Sequence, residues 1–392
     1  MMSQKSKREL LETIAPRYHA AGGEEKTRIL DEFVTSTGYH RKYAINLLQH
    51  PYRPEKRTRR RKARKYTPAV KYALVQVWRA ANCICSKRLV PYLPEFVAVL
   101  EDHEELQLDV PTRALLLGIS PATADRLLRA ERQSLGRRGV STTKPGTLLK
   151  SMIPIRTFAD WDDARPGFME IDLVAHCGTT TAGDYLHTLV MTDITTGWTE
   201  CLALRHRSQQ AVTQAITQAR DLLPFPLLGI DSDNGAEFIN DLLLRYGQHE
   251  HITFTRCRPY KKNDQAHGEQ KNWSIVRQFV GYDRLEGNGL YRLLLALYRR
   301  LRLYINFFQP VMKLVSKERV GAKLKKRYDL AKTPYQRVLA SDQVSDEHKD
   351  KLRALYPDLN PVTLLREIES LQHRISETVI VRSSYEATNP SG

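Results

Sequence analysis

The period of the apolar positions changes twice along the chain. From residue 5 to 50, KRELLETIAPRYHA, KTRILDEFVTSTG and YHRKYAINLLQH each repeat apolar residues at helical spacing, predicting three helices. Thr37 and Gly38 mark a turn before the third, which mixes Tyr43, Ile45, Leu47 and Leu48 with Arg41 and Lys42. A short helix, a glycine turn and a basic helix make a helix-turn-helix pattern. A second helical block covers 68–132 and ends in RALLLGISPATADRLLRAER. There residues 115–117 close one helix, Gly118 turns, Ser120 caps the next helix and Pro121 takes its first position. Ile119, Ala124, Leu127 and Leu128 then fall inward, and Thr123, Arg126 and Arg129 outward.

From residue 167 the period drops to two. GFMEIDLVAHC, YLHTLVMTDITT and WTECLALRH are closely spaced strands, which predicts an antiparallel meander. SQQAVTQAITQARDLLP is a helix capped by Ser208, PLLGIDSDNG a short buried strand, AEFINDLLLRYGQHE a helix and ITFTRCRPY a fifth strand. A helix over 265–280 follows the polar KKND loop. The order β-β-β-α-β-α-β-α predicts an α/β unit: three antiparallel strands extended by parallel ones through helical crossovers. Beyond it come a long helix (GLYRLLLALYRRLRLYINFF), a basic and irregular run at 313–327, and helical stretches at 346–356 and 361–379. The last carries Leu364, Leu365, Ile368, Leu371 and Ile375 on one face, for packing within the chain or for an oligomer contact.

Charge divides the chain in the same places. The total is +17, from 61 Lys+Arg against 44 Asp+Glu. Residues 53–65 hold nine basic residues and one acid, and 313–327 hold seven and one, so these two segments supply 14 of the 17 charges. Residues 167–281 instead hold 13 acids and 10 bases. The boundaries drawn are an N-terminal module at 1–52, a basic linker at 53–66, a second helical module at 67–135, a Gly/Ser/Thr/Pro-rich linker at 136–160, the α/β core at 161–285, and a helical and basic C-terminal region at 286–392. With 41% hydrophobic residues the chain can build cores. It has no apolar run long enough to span a membrane and no secretory signal, which predicts a cytoplasmic protein. Five scattered cysteines (Cys83, Cys85, Cys177, Cys201, Cys257) suit neither a zinc finger nor a disulfide framework.

The core places acids where strands are otherwise apolar: Glu170 and Asp172 on the first strand, Asp231 and Asp233 at the end of the fourth, Glu269 on the late helix. Buried carboxylates are costly unless they serve something. In such a sheet strands one and four are neighbours, so their acids converge, and a crossing helix can add a third. Converging carboxylates repel unless divalent cations sit between them, and hard oxygen donors favour Mg²⁺, with Mn²⁺ as substitute. Two such ions suit an in-line phosphoryl displacement.

MEIDL around Asp172, DSDNGAEF around Asp233 and RPYKKNDQAHGEQKN around Glu269 resemble the Asp-Asp-Glu core of retroviral integrases and bacterial insertion-sequence transposases. The 35 residues between Asp233 and Glu269, the Asn234-Gly235 turn, Pro259-Tyr260 and the Glu269-x-x-Asn272 spacing carry the resemblance over 167–281. GYHRKYAINLL and NFFQPVMKLVSKERVG in the flanks resemble a subset of these transposases. The resemblance implies a ribonuclease-H-like core flanked by all-α helix-turn-helix modules and a mainly helical C-terminal region. It implies that Asp172, Asp233 and Glu269 are catalytic and hold two Mg²⁺ ions, in preference to Glu170 and Asp231. Asp264 reads as a helix cap, and Asp193 as a turn or second-layer group.

The implied activity is Mg²⁺-dependent cleavage and joining of DNA at the ends of an insertion sequence, by a homo-oligomer in the bacterial cytoplasm. Double-stranded DNA would be gripped through Arg57, Arg59, Arg60, Arg61, Lys62, Arg64 and Lys65 in the first linker and read through Thr123 and Arg126. In the core, Gln265 and Asn272 would line the site, with Lys261, Lys262, Lys271 and Arg277 as phosphate contacts; Lys323, Lys325 and Lys326 would act in the C-terminal run. Trp273 stands where retroviral integrases have a DNA-contacting lysine, and either stacks on a base or packs. His176 and His267 are near enough in sequence to add a metal ligand, and the zinc-binding N-terminal module of retroviral integrases is absent. A nuclease of the same fold, or a DNA-binding regulator, are the competing readings.

Overall fold

The structure, a computed structural model, describes residues 2–50, 65–134, 165–232, 241–256, 271–320 and 323–388. The chain divides into two compact units, Met1–Lys65 and Tyr66–Gly392. The first holds α1 (Gln4–Ala20), α2 (Gly23–Thr37) and α3 (Arg41–Gln49). Ser3 caps α1 by accepting from Ser6 N, and Gly38, at φ 69°, ends α2 by donating to Val34 O. Leu11, Tyr18, Ile29, Leu30, Phe33 and Leu48 are the main residues of its own small core.

The second unit opens with α4 (Pro68–Ala80), α5 (Ser86–Asp102), α6 (Val110–Leu117), α7 (Pro121–Leu127) and α8 (Arg129–Ser134). Ser120 Oγ accepts from Thr123 N at 3.3 Å and Pro121 begins α7, as the turn chemistry predicts. Ile119, Ala124 and Leu128 are buried while Arg126 and Arg129 are exposed. These five helices do not form a body of their own. Val77, Trp78, Leu93 and Phe96 belong to one continuous core with the sheet and the C-terminal helices. The block set apart by composition at 67–135 therefore packs as part of the larger unit.

The sheet contains β1 (Phe168–Ala175), β2 (His187–Asp193), β3 (Thr199–Leu204), β4 (Gly229–Ser232) and β5 (Thr253–Arg256), with α9 (Gln209–Arg220) and α10 (Asp241–His249) as crossovers. Its order is β3-β2-β1-β4-β5, antiparallel across the first three strands and parallel from β1 to β5. This is the predicted five-stranded mixed sheet of a ribonuclease-H-like fold. Alternation sends Met169, Ile171, Leu189, Met191, Ile230 and Phe254 into the main core, and Glu170, Asp172 and Val174 to the opposite face. Gly229 admits no larger residue cheaply, since a Cβ there would lie 2.4 Å from Phe168 Cδ1.

α11 (Gly287–Phe308) spans about 33 Å at 1.5 Å per residue and closes the β3 edge. An edge strand exposes unpaired backbone groups. Asn306 satisfies both groups of Thr199, its Oδ1 accepting from Thr199 N at 2.8 Å and its Nδ2 donating to Thr199 O at 2.9 Å. Arg302 donates through Nε and Nη2 to the two oxygens of buried Glu200, each at 2.9 Å. On its other side Tyr304 OH donates to Ala80 O at 2.7 Å and Gln309 Nε2 to Ala81 O at 3.1 Å, fastening α4 to the sheet through α11.

The run at 313–327 is not irregular: β6 (Leu314–Val320) and β7 (Lys323–Tyr328) form an antiparallel ribbon. Its pairing is held by the backbone ladder although Lys317 faces Lys326 in register, so the ribbon lacks the apolar alternation that signals a strand. Its base is pinned: Lys313 N donates to Asp329 Oδ1 at 2.6 Å, and Arg337 joins Asp329 Oδ2 (2.8 Å) and Val311 O (2.9 Å). Then follow α12 (Pro334–Ala340), α13 (Asp346–Leu355) and α14 (Pro361–Thr388), which lengthens the predicted 361–379 helix. No helix among the described residues is long and apolar enough to cross a membrane.

Candidate active site

Asp172 lies on the middle strand, opposite Val190 of β2. The parallel register pairs Glu170 with Asp231 and Ile171 with Ser232, so Glu170, Asp172 and Asp231 share one face. Depth separates them. Glu170 is 3% and Asp231 2% exposed, and Asp231 Oδ1 accepts from Thr255 Oγ1 at 2.7 Å. Asp172 is only partly buried; its Oδ1 accepts from Leu173 N at 2.7 Å and its Oδ2 from Asn272 Nδ2. Asp233 and Glu269 lie outside the described residues, as do Lys261, Lys262, Gln265, His267 and Asp264.

Asn272 begins a π-helix, Asn272–Arg277, instead of a turn of α-helix. Such wide turns recur at functional sites. Asn272 and Val276 both face β1: the first bonds Asp172, and the second packs with Val174 and Val190. Asn272 Oδ1 is buried with no hydrogen-bond partner among the described residues. Trp273 is 54% exposed, so its ring is open to solvent.

Two neighbouring cations turn inward. Lys271 is partly buried as a residue but its ammonium lies inside, 3.4 Å from Gly197 O; burial, then the charge of Arg88, pushes it down to about 7. Arg277 donates to Ala175 O at 3.1 Å and Gly281 O at 3.3 Å and lies 4.8 Å over the Tyr282 ring. Burial lowers its pKa from the ordinary arginine value. Both were expected as phosphate contacts; in the structure each side chain donates to backbone carbonyls. Lys313 similarly donates to Ile194 O and Thr195 O, and burial lowers it to about 8.

His176 is not placed to ligate a metal. It is fully buried, its Nε2 2.7 Å from Thr188 Oγ1, which is 2.5 Å from Tyr298 OH. Burial holds it neutral, with a pKa pushed down to about 3. It stands one residue beyond β1, and Thr188 of β2 ties it to the Tyr298 hydroxyl of α11. Nothing in the sequence pattern links residues 176, 188 and 298. Asp193 takes the turn role: its Oδ1 accepts from Gly167 N (2.8 Å) and its Oδ2 from Thr196 N and Oγ1 (2.6 Å each), while burial raises its pKa.

Of the residues proposed for DNA, Arg126 is exposed and donates to Thr123 Oγ1 at 2.9 Å on the open side of α7. Lys325 and Lys326 are exposed on β7, which Lys323 begins, and Lys65 is an exposed residue just before α4. Arg57, Arg59, Arg60, Arg61, Lys62 and Arg64 lie outside the described residues. Among the described residues no three His, Cys, Asp or Glu side chains gather to hold a metal ion. The described part of the candidate set is one partly exposed carboxylate, an oxygen donor suited to a hard cation.

A family model described as Integrase core domain matches residues 162–262. The uncharacterized protein y4rM of Sinorhizobium fredii (strain NBRC 101917 / NGR234) is 45% identical over 329 residues, covering 83% of this chain and 93% of that protein. Among solved structures, the HTLV-2 integrase catalytic core domain in complex with magnesium is 18% identical, covering 38% of this chain and 91% of its own, with a TM-score of 0.28. The catalytic core domain of BIV integrase is 18% identical, covering 47% and 98%, with a TM-score of 0.29.

Proposed function

The chain belongs to the family of y4rM and carries an integrase core domain over residues 162–262, and from that premise we propose that it is a DNA transposase acting on the ends of an insertion sequence. The observation that carries this reading is the partly exposed Asp172 at the centre of the sheet, held by Asn272 three residues after Glu269. The β1–β4 register ends at Ile171 with Ser232, and Asp172 and Asp233 are the next residues of the two strands' sequences. Their acids, with Glu269, would hold two Mg²⁺ ions, or Mn²⁺ in their place. When bound, such ions supply the positive charge that attacking and leaving oxygens need in phosphoryl transfer.

The chemistry is two in-line displacements at phosphorus. Water attacks the phosphorus at the element end, leaving a 5′-phosphate on the flank and freeing the element's 3′-hydroxyl. That hydroxyl then attacks a target phosphorus, forming a new phosphodiester as the P–O bond to the target's 3′-oxygen breaks and leaves a free target 3′-hydroxyl. No covalent protein–DNA intermediate is needed. Asn272 acts as a positioning residue, fixing one oxygen of Asp172. The helical modules around α3 and α7 would read the terminal repeats as helix-turn-helix elements, with the basic linker 53–66 and Lys323, Lys325 and Lys326 on phosphates. Two ends must be held together, so the working form is a homo-oligomer on double-stranded DNA in the bacterial cytoplasm.

A strand-transfer assay with labelled element ends and Mg²⁺ tests this. Joined product from the wild type and none from Asp233→Asn is the expected result. Cleavage without joining would instead identify a nuclease, and specific binding without cleavage a regulator.

A further inference from the structure

α11 and α14 pack against each other with Leu294, Leu297, Leu301, Leu364, Ile368 and Ile375 buried. Beside this seam they leave an open groove of about 640 Å³ walled by Arg299 and Arg300 on one helix and by Arg366 and Arg374 on the other. The one acid in its lining is Glu367, 2.8 Å from Arg300, while Arg366 meets Glu105 at 3.4 Å from outside the groove. Arg299 and Arg374 are exposed and have no ion pair among the described residues.

Paired helices ordinarily set opposite charges across their flanks, because like charges there repel. Here four guanidinium groups flank one groove with one acid between them, an arrangement that a polyanion would relieve. Ala296 and Ser370 contribute only small side chains to the lining, so an extended chain can approach. Arg366 and Arg374 are eight residues apart, roughly 12 Å along the helix axis. At about 3.4 Å of rise per nucleotide, that wall faces three to four phosphates of one strand. Guanidinium groups bind phosphate oxygens in pairs, whereas lysines act as point charges.

We propose that this groove is a binding site for the phosphodiester backbone of DNA, additional to the basic linkers and to the site around Asp172. The choice of DNA over an acidic protein segment rests on the transposase reading. The groove predicts sequence-independent, salt-sensitive binding.

The test is fluorescence anisotropy of the full chain with a mixed-sequence duplex across a salt series. Both unpaired arginines are exposed, so Arg299→Gln with Arg374→Gln should leave folding intact, checked by thermal melting. Losing two phosphate contacts should lower the slope of log affinity against log salt by about 2. Lys351→Gln, at an exposed position of α13, should not change it. An unchanged slope in the double variant, or no duplex binding by the wild type, overturns the inference. So does a change in oligomeric state with duplex binding intact, which would assign the groove to a second copy. Duplex binding by the wild type with the expected slope loss in the double variant, but no joined ends, supports the groove while removing the transposase reading.

Discussion

Two layers of the same sheet face carry acids of the same kind and treat them differently. Glu170 and Asp231 face each other across β1 and β4, almost wholly buried, with Asp231 engaged by Thr255. Asp172 sits two residues further along β1, partly exposed and held at one oxygen by Asn272. The deeper acids are part of the packing, while the shallow one reaches solvent. Chemical type and strand face are shared, so depth is what separates the packed carboxylates from the one open to solvent, to which the proposed function assigns the chemistry.

The sharpest way to break this contrast is to neutralise each layer in turn. Asp172→Asn should lower strand transfer by about a thousandfold or more, the several kcal/mol that cation-assisted phosphoryl transfer supplies, with thermal melting nearly unchanged. Asn272→Ala should cost roughly 10- to 100-fold in activity, as is usual for a partner that orients a reactive ligand. Melting of that variant should move little, and Asn272→Asp should not restore the rate, because a carboxylate cannot donate to Asp172. Asp231→Asn should show the opposite pattern. Urea titration should find a loss of about 1–3 kcal/mol, while activity per folded molecule stays within a few fold. Equal activity losses at Asp172 and Asp231 would abolish the distinction between layers.

The smallest effect concerns His176, one residue beyond β1. Its folded pKa, about 3, is below the ordinary 6.5, so on acidification the unfolded chain takes up the proton first. Its contribution to stability is complete above about pH 6.5 and is lost as pH falls toward 3, by at most about 1.4 kcal/mol per unit. Denaturation midpoints between pH 7 and 4 should decline less steeply in His176→Gln than in the wild type. Parallel curves would show that the imidazole does not titrate on unfolding in this range.

The sheet was legible because its information is local. Period-two runs marked β1, β2 and β3, Ser208 marked the start of α9, and short linkers limited the pairing order. The β6–β7 ribbon was not legible, because consecutive charges (residues 317–319 and 325–327) erase any apolar alternation and the ladder that holds it is backbone. Lys271 and Arg277 read as phosphate contacts because they are basic residues beside Glu269 in sequence. Their inward turn depends on Gly197 O and Ala175 O, acceptors 74 and 102 residues away in sequence. Of the candidate site, the position and face of Asp172 follow from strand alternation. The Glu269-x-x-Asn272 spacing brought Asn272 into the expected site, but its bond to Asp172 and the π-helix that begins there depend on packing.

The single core joining α4–α8 to the sheet has a metric consequence. With Tyr304 and Gln309 bonded to Ala80 and Ala81, α7 and Asp172 belong to one compact unit and not to two bodies on a tether. A duplex seated on α7 would be measured by that unit as by a ruler. The number of base pairs between the sequence read and the bond cut would be fixed by the protein, and inserting a few base pairs into that spacer should abolish cutting instead of shifting it.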